Sequence, residues 1–226
     1  MPGPGSGGDD EFAGERDALV REIEAEVAAT AEWTGRDRLD HRVIAAISNV
    51  PRHEFVPRAE RTVAYINNAL PIGHGQTISQ PYIVALMTDL LDSKPDSRIL
   101  EIGTGSGYQA AVLSKLVGEV WSIEVVPELA ASAAERLKRL GCDNVTVKDG
   151  DGAAGWPKHA PYDGIVVTAC SAAIPPALIE QLAEGGRMVL PLGGTGRSQL
   201  LTVVTKKPDG AIEQKTVLPV AFVPLV

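Results

Sequence analysis

The sequence has few cysteines and no long apolar run. Two cysteines, Cys142 and Cys170, are too few for a disulfide framework and indicate a reducing compartment in which both thiols are free. No apolar run approaches the roughly 20 residues that a membrane-spanning helix needs, and the N-terminus lacks the basic start and apolar core of a signal peptide. These absences predict a cytoplasmic protein with no membrane partner.

Clusters of metal-binding and basic residues are also lacking. The four histidines show no ligand spacing with one another or with cysteine, so we expect no metal site. The net charge is -8, and residues 1–32 alone account for -7 of it. The remaining chain is nearly neutral and has no Lys/Arg stripe, which argues against binding to a phosphate backbone. A nucleic-acid partner is therefore not expected.

The length and composition predict one α/β domain. The chain has 226 residues, of which 44% are hydrophobic and 22% charged, enough for one well-buried core. Residues 1–14 are rich in Gly, Pro and acids and are predicted to form a disordered tail. The domain is then expected to span residues 15–226, with helices and a polar loop in 15–97 and a sheet in 98–226.

The stretch R-I-L-E-I-G-T-G-S-G from Arg98 indicates a nucleotide-like ligand site. Its first five residues are predicted to form a buried strand, Gly103, Gly105 and Gly107 permit a sharp turn, and a helix pattern begins at Tyr108. A strand, a glycine-rich turn and a helix in that order place free backbone N–H groups at the carboxyl edge of a sheet. An adenosine cofactor is the ligand that this arrangement suggests.

The spacing of the turn favours S-adenosylmethionine over NAD. The glycines follow G-x-G-x-G rather than the dinucleotide pattern G-x-G-x-x-G, and Glu101 lies two residues before the first glycine. The next apolar run, Val120 to Ile123, ends at Glu124, whose carboxylate is placed to accept both ribose hydroxyls. Either acid alone is more simply a strand-end carboxylate near solvent, whereas the pair around such a turn favours the ligand.

Alternating strand and helix patterns continue to the C-terminus and predict a doubly wound, mostly parallel sheet. A hairpin signal at Asp209-Gly210 separates the last two strands. The turn that contains Asp151 and Gly152 follows the third strand of this pattern, where an acid could accept the adenine amino group. A turn made of ordinary turn-forming residues is the alternative.

A polar loop precedes a helix predicted to start at Pro81. Residues 67–80 carry two glycines and almost no charge, and Gln76, Thr77 and Ser79 lie at the helix N-terminus, which suits a carboxylate ligand. For Ser79, a capping hydroxyl is an equally good interpretation from these residues alone.

The chain resembles the protein-L-isoaspartate O-methyltransferase family over residues 40–226. The glycine turn is shared by many methyltransferases, whereas the loop G-Q-T-I-S-Q-P and the terminal F-V-P-L are far more specific. The matching motifs are V-P-R-H-E-F-V-P from Val50, L-P-I-G-H-G-Q-T-I-S-Q-P-Y from Leu70, L-E-I-G-T-G-S-G-Y-Q from Leu100, G-D-G from Gly150, A-P-Y-D-G-I-V-V-T-A from Ala160, I-P-P-A-L-I-E-Q-L-A-E-G-G from Ile174 and F-V-P-L from Phe222.

The resemblance implies a Rossmann-like class I methyltransferase fold with a seven-stranded sheet, in a protein expected to be a monomer. It also implies methyl transfer from S-adenosylmethionine to the free α-carboxylate of L-isoaspartyl residues in damaged proteins. In the family, the position of Ser79 carries the active-site hydroxyl. The resemblance assigns the other site residues either to substrate binding or to cofactor binding. The substrate group is Gln76, Thr77, Val223 and Pro224; the cofactor group is Glu101, Gly103, Thr104, Gly105, Gly107, Glu124, Asp151 and Gly152.

Two positions depart from the family pattern, and three other functions stay open. Ala153 stands where relatives often carry an aromatic residue, and Cys170-Ser171 replaces a small apolar pair. One alternative is a tailoring methyltransferase that acts on an ordinary aspartate of a dedicated peptide. A nucleic-acid methyltransferase is disfavoured because Thr168-Ala169-Cys170-Ser171 stands where a D/N-P-P-Y/F motif is expected. A cofactor-binding protein without activity is the third.

Overall fold

The structure, a computed structural model, describes residues 11–194 and 198–225. The helices are α1 (Ala13–Ala29), α2 (Ala31–Thr34), α3 (His41–Asn49), α4 (Pro81–Leu90), α5 (Tyr108–Ser114), α6 (Pro127–Arg139) and α7 (Pro176–Gln181). The strands are β1 (Leu70–Gly73), β2 (Gln76–Ile78), β3 (Arg98–Ile102), β4 (Glu119–Glu124), β5 (Val145–Asp149), β6 (Tyr162–Val167), β7 (Leu182–Leu192), β8 (Gln199–Lys206) and β9 (Ile212–Val220). Short 3-10 turns cover Arg52–Phe55, Arg58–Val63, Gly152–Ala154 and Pro157–His159.

A seven-stranded sheet of order β5-β4-β3-β6-β7-β8-β9 forms the centre of the fold. The first five strands of that order pair in parallel, and β8 and β9 add antiparallel pairs at one edge. This confirms the predicted doubly wound, mostly parallel seven-stranded sheet. The chain proceeds to one side of β3 through β4 and to the other through β6, so the crevice between β3 and β6 is the topological switch point where ligands bind in such folds.

Apolar residues at helical spacing pack helix α1 against α3 and α4. Leu19, Ile23 and Val27 are all buried, as their spacing on α1 predicts. The α3 helix starts after Asp40, whose side chain caps it by accepting a hydrogen bond from the Arg42 backbone N–H at 2.8 Å.

The predicted extent of the N-terminal tail is wrong at its C-terminal end. The α1 helix begins at Ala13, and the Phe12 ring stacks on the His53 ring with 4.5 Å between centroids. Composition suggested that residues 1–14 had little to bury, but one aromatic ring is enough to fasten residues 11–14 to the body. The rest of that prediction, for residues 1–10, lies outside the described residues.

The polar segment expected to be a loop contains a β-hairpin. Strands β1 and β2 pair antiparallel, with Leu70 opposite Ile78 and Pro71 opposite Thr77. The two turn residues have positive φ, 53° at His74 and 71° at Gly75, as a two-residue hairpin turn requires. The signal was weak because His-Gly is not a strong turn pair and the strands have only four and three residues.

The C-terminal segment returns from the sheet edge to its centre. The predicted hairpin between β8 and β9 is present, and residues 221–225 then cross to the residues that follow β6. The Cys170 N–H donates to the Val223 carbonyl and the Leu225 N–H donates to the Cys170 carbonyl, both at 2.8 Å. The final residues therefore lie against the switch point. Within the described ranges, no helix is long and apolar enough to cross a bilayer.

Candidate functional site

A cavity of about 510 Å³ lies at the carboxyl ends of β3 and β6. Its floor is the glycine turn after β3, and β2 and the C-terminal segment border it. Most residues predicted to bind cofactor or substrate line this cavity: Gln76, Thr77, Ser79, Gly103, Thr104, Gly105, Glu124, Gly152, Val223 and Pro224. Glu101, Gly107 and Asp151 do not.

The glycine turn has the conformation that its sequence predicts. Gly103 has φ 92°, and a Cβ atom there would collide with the Thr168 hydroxyl oxygen of the neighbouring strand end. Thr168 donates hydrogen bonds to the carbonyls of Gly103, at 2.6 Å, and Ile102, at 3.1 Å. Only glycine meets both demands at position 103, and the contact holds the turn against β6.

Glu124 lies at the end of β4 and is only 5% exposed. One carboxylate oxygen accepts the Gly105 N–H at 2.7 Å and the other accepts the Val126 N–H at 3.0 Å. Since each carboxylate oxygen has two lone pairs, both keep an acceptor position for a ligand hydroxyl. Glu124 therefore rigidifies the turn and still presents acceptors to the cavity.

Glu101 lies behind the turn and is fully buried. It accepts a short hydrogen bond from the Ser122 hydroxyl, which is 2.5 Å from the Thr104 hydroxyl, and its second oxygen has no partner among the described residues. Burial, reinforced by the nearby Glu124 charge, raises the pKa of Glu101 to about 8. The raised pKa favours the protonated carboxyl at neutral pH, and hydrogen bonds through Ser122 and Thr104 connect it to the cavity wall.

The remaining cofactor candidates outside the wall have structural contacts. The Asp151 carboxylate caps the 3-10 turn that follows it by accepting a hydrogen bond from the Ala153 N–H at 2.8 Å. Its neighbour Gly152 lines the cavity, whereas Asp151 does not. Gly107 is the residue before α5 and has φ 88°. Neither position of the two sequence departures, Ala153 and Cys170-Ser171, lines the cavity.

Ser79 does not cap α4. The residue before the helix is Gln80, and the Tyr82 N–H in its first turn is accepted by the Asn67 side-chain oxygen at 3.0 Å. The Ser79 hydroxyl forms no hydrogen bond with another described residue, and Ser79 is one of the residues that line the cavity. Asn67 performs the capping that the sequence allowed for Ser79, and the hydroxyl is left available to a ligand.

Sequence reasoning missed several wall residues, because only the tertiary fold brings them to the cavity. Asn68, Tyr108, Gln109 and Thr168 line it in addition to the predicted set. Thr168 had a usable signal, since it follows β6 at the same sheet edge as the glycine turn. Asn68 had no sequence signal, because its place in the wall depends on how the β1–β2 hairpin packs against the rest of the fold.

The cavity wall is poor in ionisable groups. Its acidic member is Glu124, and it includes no lysine, arginine or histidine from the described chain. No group of three or more His, Cys, Asp or Glu side chains that could hold a metal occurs in residues 11–194 and 198–225. Such a site can orient a ligand that is already charged, but it offers no imidazole or amine to remove a proton.

Comparison with known proteins gives a consistent family. The family model described as protein-L-isoaspartate(D-aspartate) O-methyltransferase matches residues 32–226. A protein-L-isoaspartate O-methyltransferase 2 from Syntrophobacter fumaroxidans is 57% identical over 217 residues, covering 96% of this chain and 88% of the relative. A protein-L-isoaspartate O-methyltransferase 1 from Cupriavidus necator is 56% identical over 218 residues, covering 96% of this chain and 84% of the relative.

Two solved structures have the same fold. A protein-L-isoaspartate O-methyltransferase structure superposes with a TM-score of 0.81 at 30% identity and covers 92% of this chain, which spans 65% of that one. A Plasmodium falciparum structure, described as a candidate protein-L-isoaspartate O-methyltransferase in complex with S-adenosyl-L-homocysteine, has a TM-score of 0.76 at 25% identity. That superposition covers 96% of this chain and 99% of the Plasmodium falciparum chain.

Proposed function

The chain belongs to the protein-L-isoaspartate(D-aspartate) O-methyltransferase family, and from this premise we propose that it methylates the free α-carboxylate of L-isoaspartyl residues in damaged proteins or peptides. The methyl donor is S-adenosylmethionine. The observation that carries the proposal is one cavity that contains both an adenosine-type glycine turn with Glu124 and the unpartnered Ser79 hydroxyl.

The wall residues fit this donor. A cavity of about 510 Å³ is within the usual size of a small-molecule site. The backbone of the turn approaches the cavity without side chains at Gly103 and Gly105, and a Cβ at Gly152 would collide with Ile102. Glu124 would accept the ribose hydroxyls, and the turn with Thr104 would hold the amino-acid end. Glu101 and Asp151 would act by supporting these residues.

The chemistry suits a wall without a base. S-adenosylmethionine supplies a methyl group on a sulfonium, and the acceptor oxygen bonds to that carbon while the carbon–sulfur electron pair stays on sulfur. A carboxylate has a pKa of about 4 and is already ionised at neutral pH, so no residue has to remove a proton. The Ser79 hydroxyl donates a hydrogen bond to one oxygen of the acceptor carboxylate. This contact orients the second carboxylate oxygen toward the methyl carbon.

Alignment of the acceptor carboxylate with the methyl group and exclusion of water from the cavity supply the rate acceleration. Holding the acceptor in line can contribute up to about 7–11 kcal/mol in favourable cases. The charges of the reactants cancel as the bond forms, so water would stabilise the reactants more than the transition state. The apolar residues Ile78, Ile83, Phe222 and Val223 of the wall exclude water from the reacting atoms.

We also propose that the enzyme acts as a cytoplasmic monomer without a nucleic-acid partner. The two free, buried cysteines support the cytoplasmic location, and the nearly neutral charge of residues 33–226 supports the absence of a nucleic-acid partner. Gel filtration with light scattering would measure the oligomeric state.

Matched peptides test the proposed function. We expect labelled methyl groups to move from S-adenosylmethionine to a peptide that contains one L-isoaspartate, and not to the same peptide with aspartate. Methylation of the aspartyl peptide would instead favour a tailoring enzyme. Cofactor binding without labelling of either peptide would indicate a binding protein without this activity. Glu124→Gln provides a control in which the label should fall with cofactor affinity.

A further inference from the structure

Arg52 is a wholly buried cation in the 3-10 turn Arg52–Phe55. Its Nε donates to the Ala64 carbonyl at 2.9 Å, and its Nη2 donates to the carbonyls of Asn68, at 3.2 Å, and Ser79, at 2.9 Å. Its Nη1 is buried and has no hydrogen-bond partner in the described structure. All of its acceptors are neutral carbonyl oxygens.

The charge of Arg52 is not balanced by an acid. No ion pair found in the described ranges includes Arg52. Burial lowers the pKa of Arg52 to about 10, which leaves the guanidinium protonated at neutral pH. A buried charge without a counter-ion is costly, so an anion that enters the cavity nearby would be attracted to it.

The groups around Arg52 belong to the cavity wall. Asn68 and Ser79, whose carbonyls it holds, line the cavity, and so does Tyr108, whose ring centre lies 4.8 Å from the guanidinium carbon. The cation is therefore one residue behind the wall, where it is bonded directly to the backbone of Ser79. The wall itself offers no cationic side chain from the described chain to an entering anion.

We propose that Arg52 is a positioning residue that provides the counter-charge for the acceptor carboxylate from behind the wall. This rests on the function proposed above, in which the acceptor enters as an anion. A guanidinium in direct bidentate contact would bind one lone pair on each carboxylate oxygen and make the attacking oxygen less nucleophilic. A guanidinium behind Ser79 and Tyr108 attracts the anion, fixes the Ser79 backbone and leaves those lone pairs free.

Methylation would also cancel this attraction. The product ester is neutral, so the interaction with Arg52 that favours the substrate is lost once the methyl group has moved. Arg52 therefore favours binding of the acid over its ester, which assists release of the product.

Charge-selective binding tests this proposal without turnover. Dissociation constants are measured with S-adenosylhomocysteine present for an isoaspartyl peptide and for the same peptide with its α-carboxylate replaced by a carboxamide. The proteins compared are the wild type, Arg52→Gln, Arg52→Lys and Arg58→Gln. Arg58 is exposed in a neighbouring turn, so its variant matches the change in net charge without touching the wall.

We expect the wild type and Arg58→Gln to bind the carboxylate peptide about tenfold more tightly than the carboxamide peptide. The difference comes from the attraction between the buried Arg52 guanidinium and the peptide carboxylate. Arg52→Gln should lower the ratio several-fold, to the part that the Ser79 hydroxyl supplies, and Arg52→Lys should recover part of the loss. Affinity for S-adenosylhomocysteine should stay near the wild-type value and serves as the check on folding.

Equal weakening of both peptides by Arg52→Gln, with the ratio retained, would show a purely structural role and overturn the proposal. If Arg52→Gln does not fold, the Ser79→Ala variant decides. A carboxylate preference that survives the loss of the hydroxyl supports Arg52, and a ratio of one refutes it. Labelling of the isoaspartyl peptide by the wild type reports separately on the proposed function.

Discussion

Replacing Ser79 by alanine should lower activity and leave folding nearly unchanged. The Ser79 hydroxyl has no hydrogen-bond partner in the described structure, and the Tyr82 N–H in the first turn of α4 donates to the Asn67 side chain instead. The alanine variant therefore loses no bond within the free protein. It loses the donor that we assign to the acceptor carboxylate.

The expected magnitudes follow from these contacts. A hydrogen bond to a charged group is worth about 1.5–3 kcal/mol, so kcat/KM for an isoaspartyl peptide should fall about tenfold to a hundredfold. The free energy of unfolding should change by less than about 0.5 kcal/mol, as for a substitution that breaks no internal contact. Asn67→Ala is the matched control, because loss of the α4 cap should cost about 1 kcal/mol of stability.

Three measurements on Ser79→Ala check this reasoning: steady-state kinetics, calorimetric binding of S-adenosylhomocysteine, and thermal unfolding. Cofactor affinity should remain near that of the wild type. Full activity together with a lowered melting temperature would refute the assignment of Ser79 to the substrate and restore the capping interpretation.

Three further changes have defined outcomes. Glu124→Gln should weaken cofactor binding by about tenfold to a hundredfold, since charge-assisted bonds of about 1.5–3 kcal/mol are lost, and an unchanged calorimetric dissociation constant would remove Glu124 from the site. Because the pKa of Glu101 is raised from 4.5 to about 8, the folded state binds the extra proton, and wild-type stability should fall as pH rises across this window. Glu101→Gln should flatten that dependence and be more stable above pH 8, and parallel curves from denaturant titrations would contradict the buried, protonated carboxyl. Phe12→Ala, or removal of residues 1–14, should lower the free energy of unfolding by about 1 kcal/mol and the melting temperature by about 2–4 °C through loss of the ring contacts with His53 and Tyr65, and an unchanged melting temperature would show that these contacts add nothing.

Local signals were sufficient for the elements and for the side of the cavity formed by the glycine turn and Glu124. The strand, glycine turn and helix from Arg98 to Ser114 occur as predicted because the signals lie within one continuous stretch: a buried run, glycines at positions of positive φ, and a helix pattern. Glu124 lines the cavity for a related reason. In a parallel sheet the carboxyl ends of neighbouring strands meet at one edge, so a strand-end acid is placed by topology alone.

The hydrogen-bond roles of individual polar groups could not be predicted in the same way. Whether Ser79 caps a helix or faces a ligand depends on Asn67, twelve residues before it, and on how that side chain reaches the Tyr82 N–H. The burial of Glu101 and its contact with Ser122 depend on the pairing of β3 with β4.

The sequence by itself determined the class of fold, the glycine turn and the family, because these depend on periodicity, backbone conformation and contiguous motifs. The tertiary structure decided that a β-hairpin and the C-terminal segment border the cavity and that Arg52 lies uncompensated behind Ser79. These features join residues that are separated in the sequence, and their free energy comes from burial and hydrogen bonds formed only when the separate segments pack together.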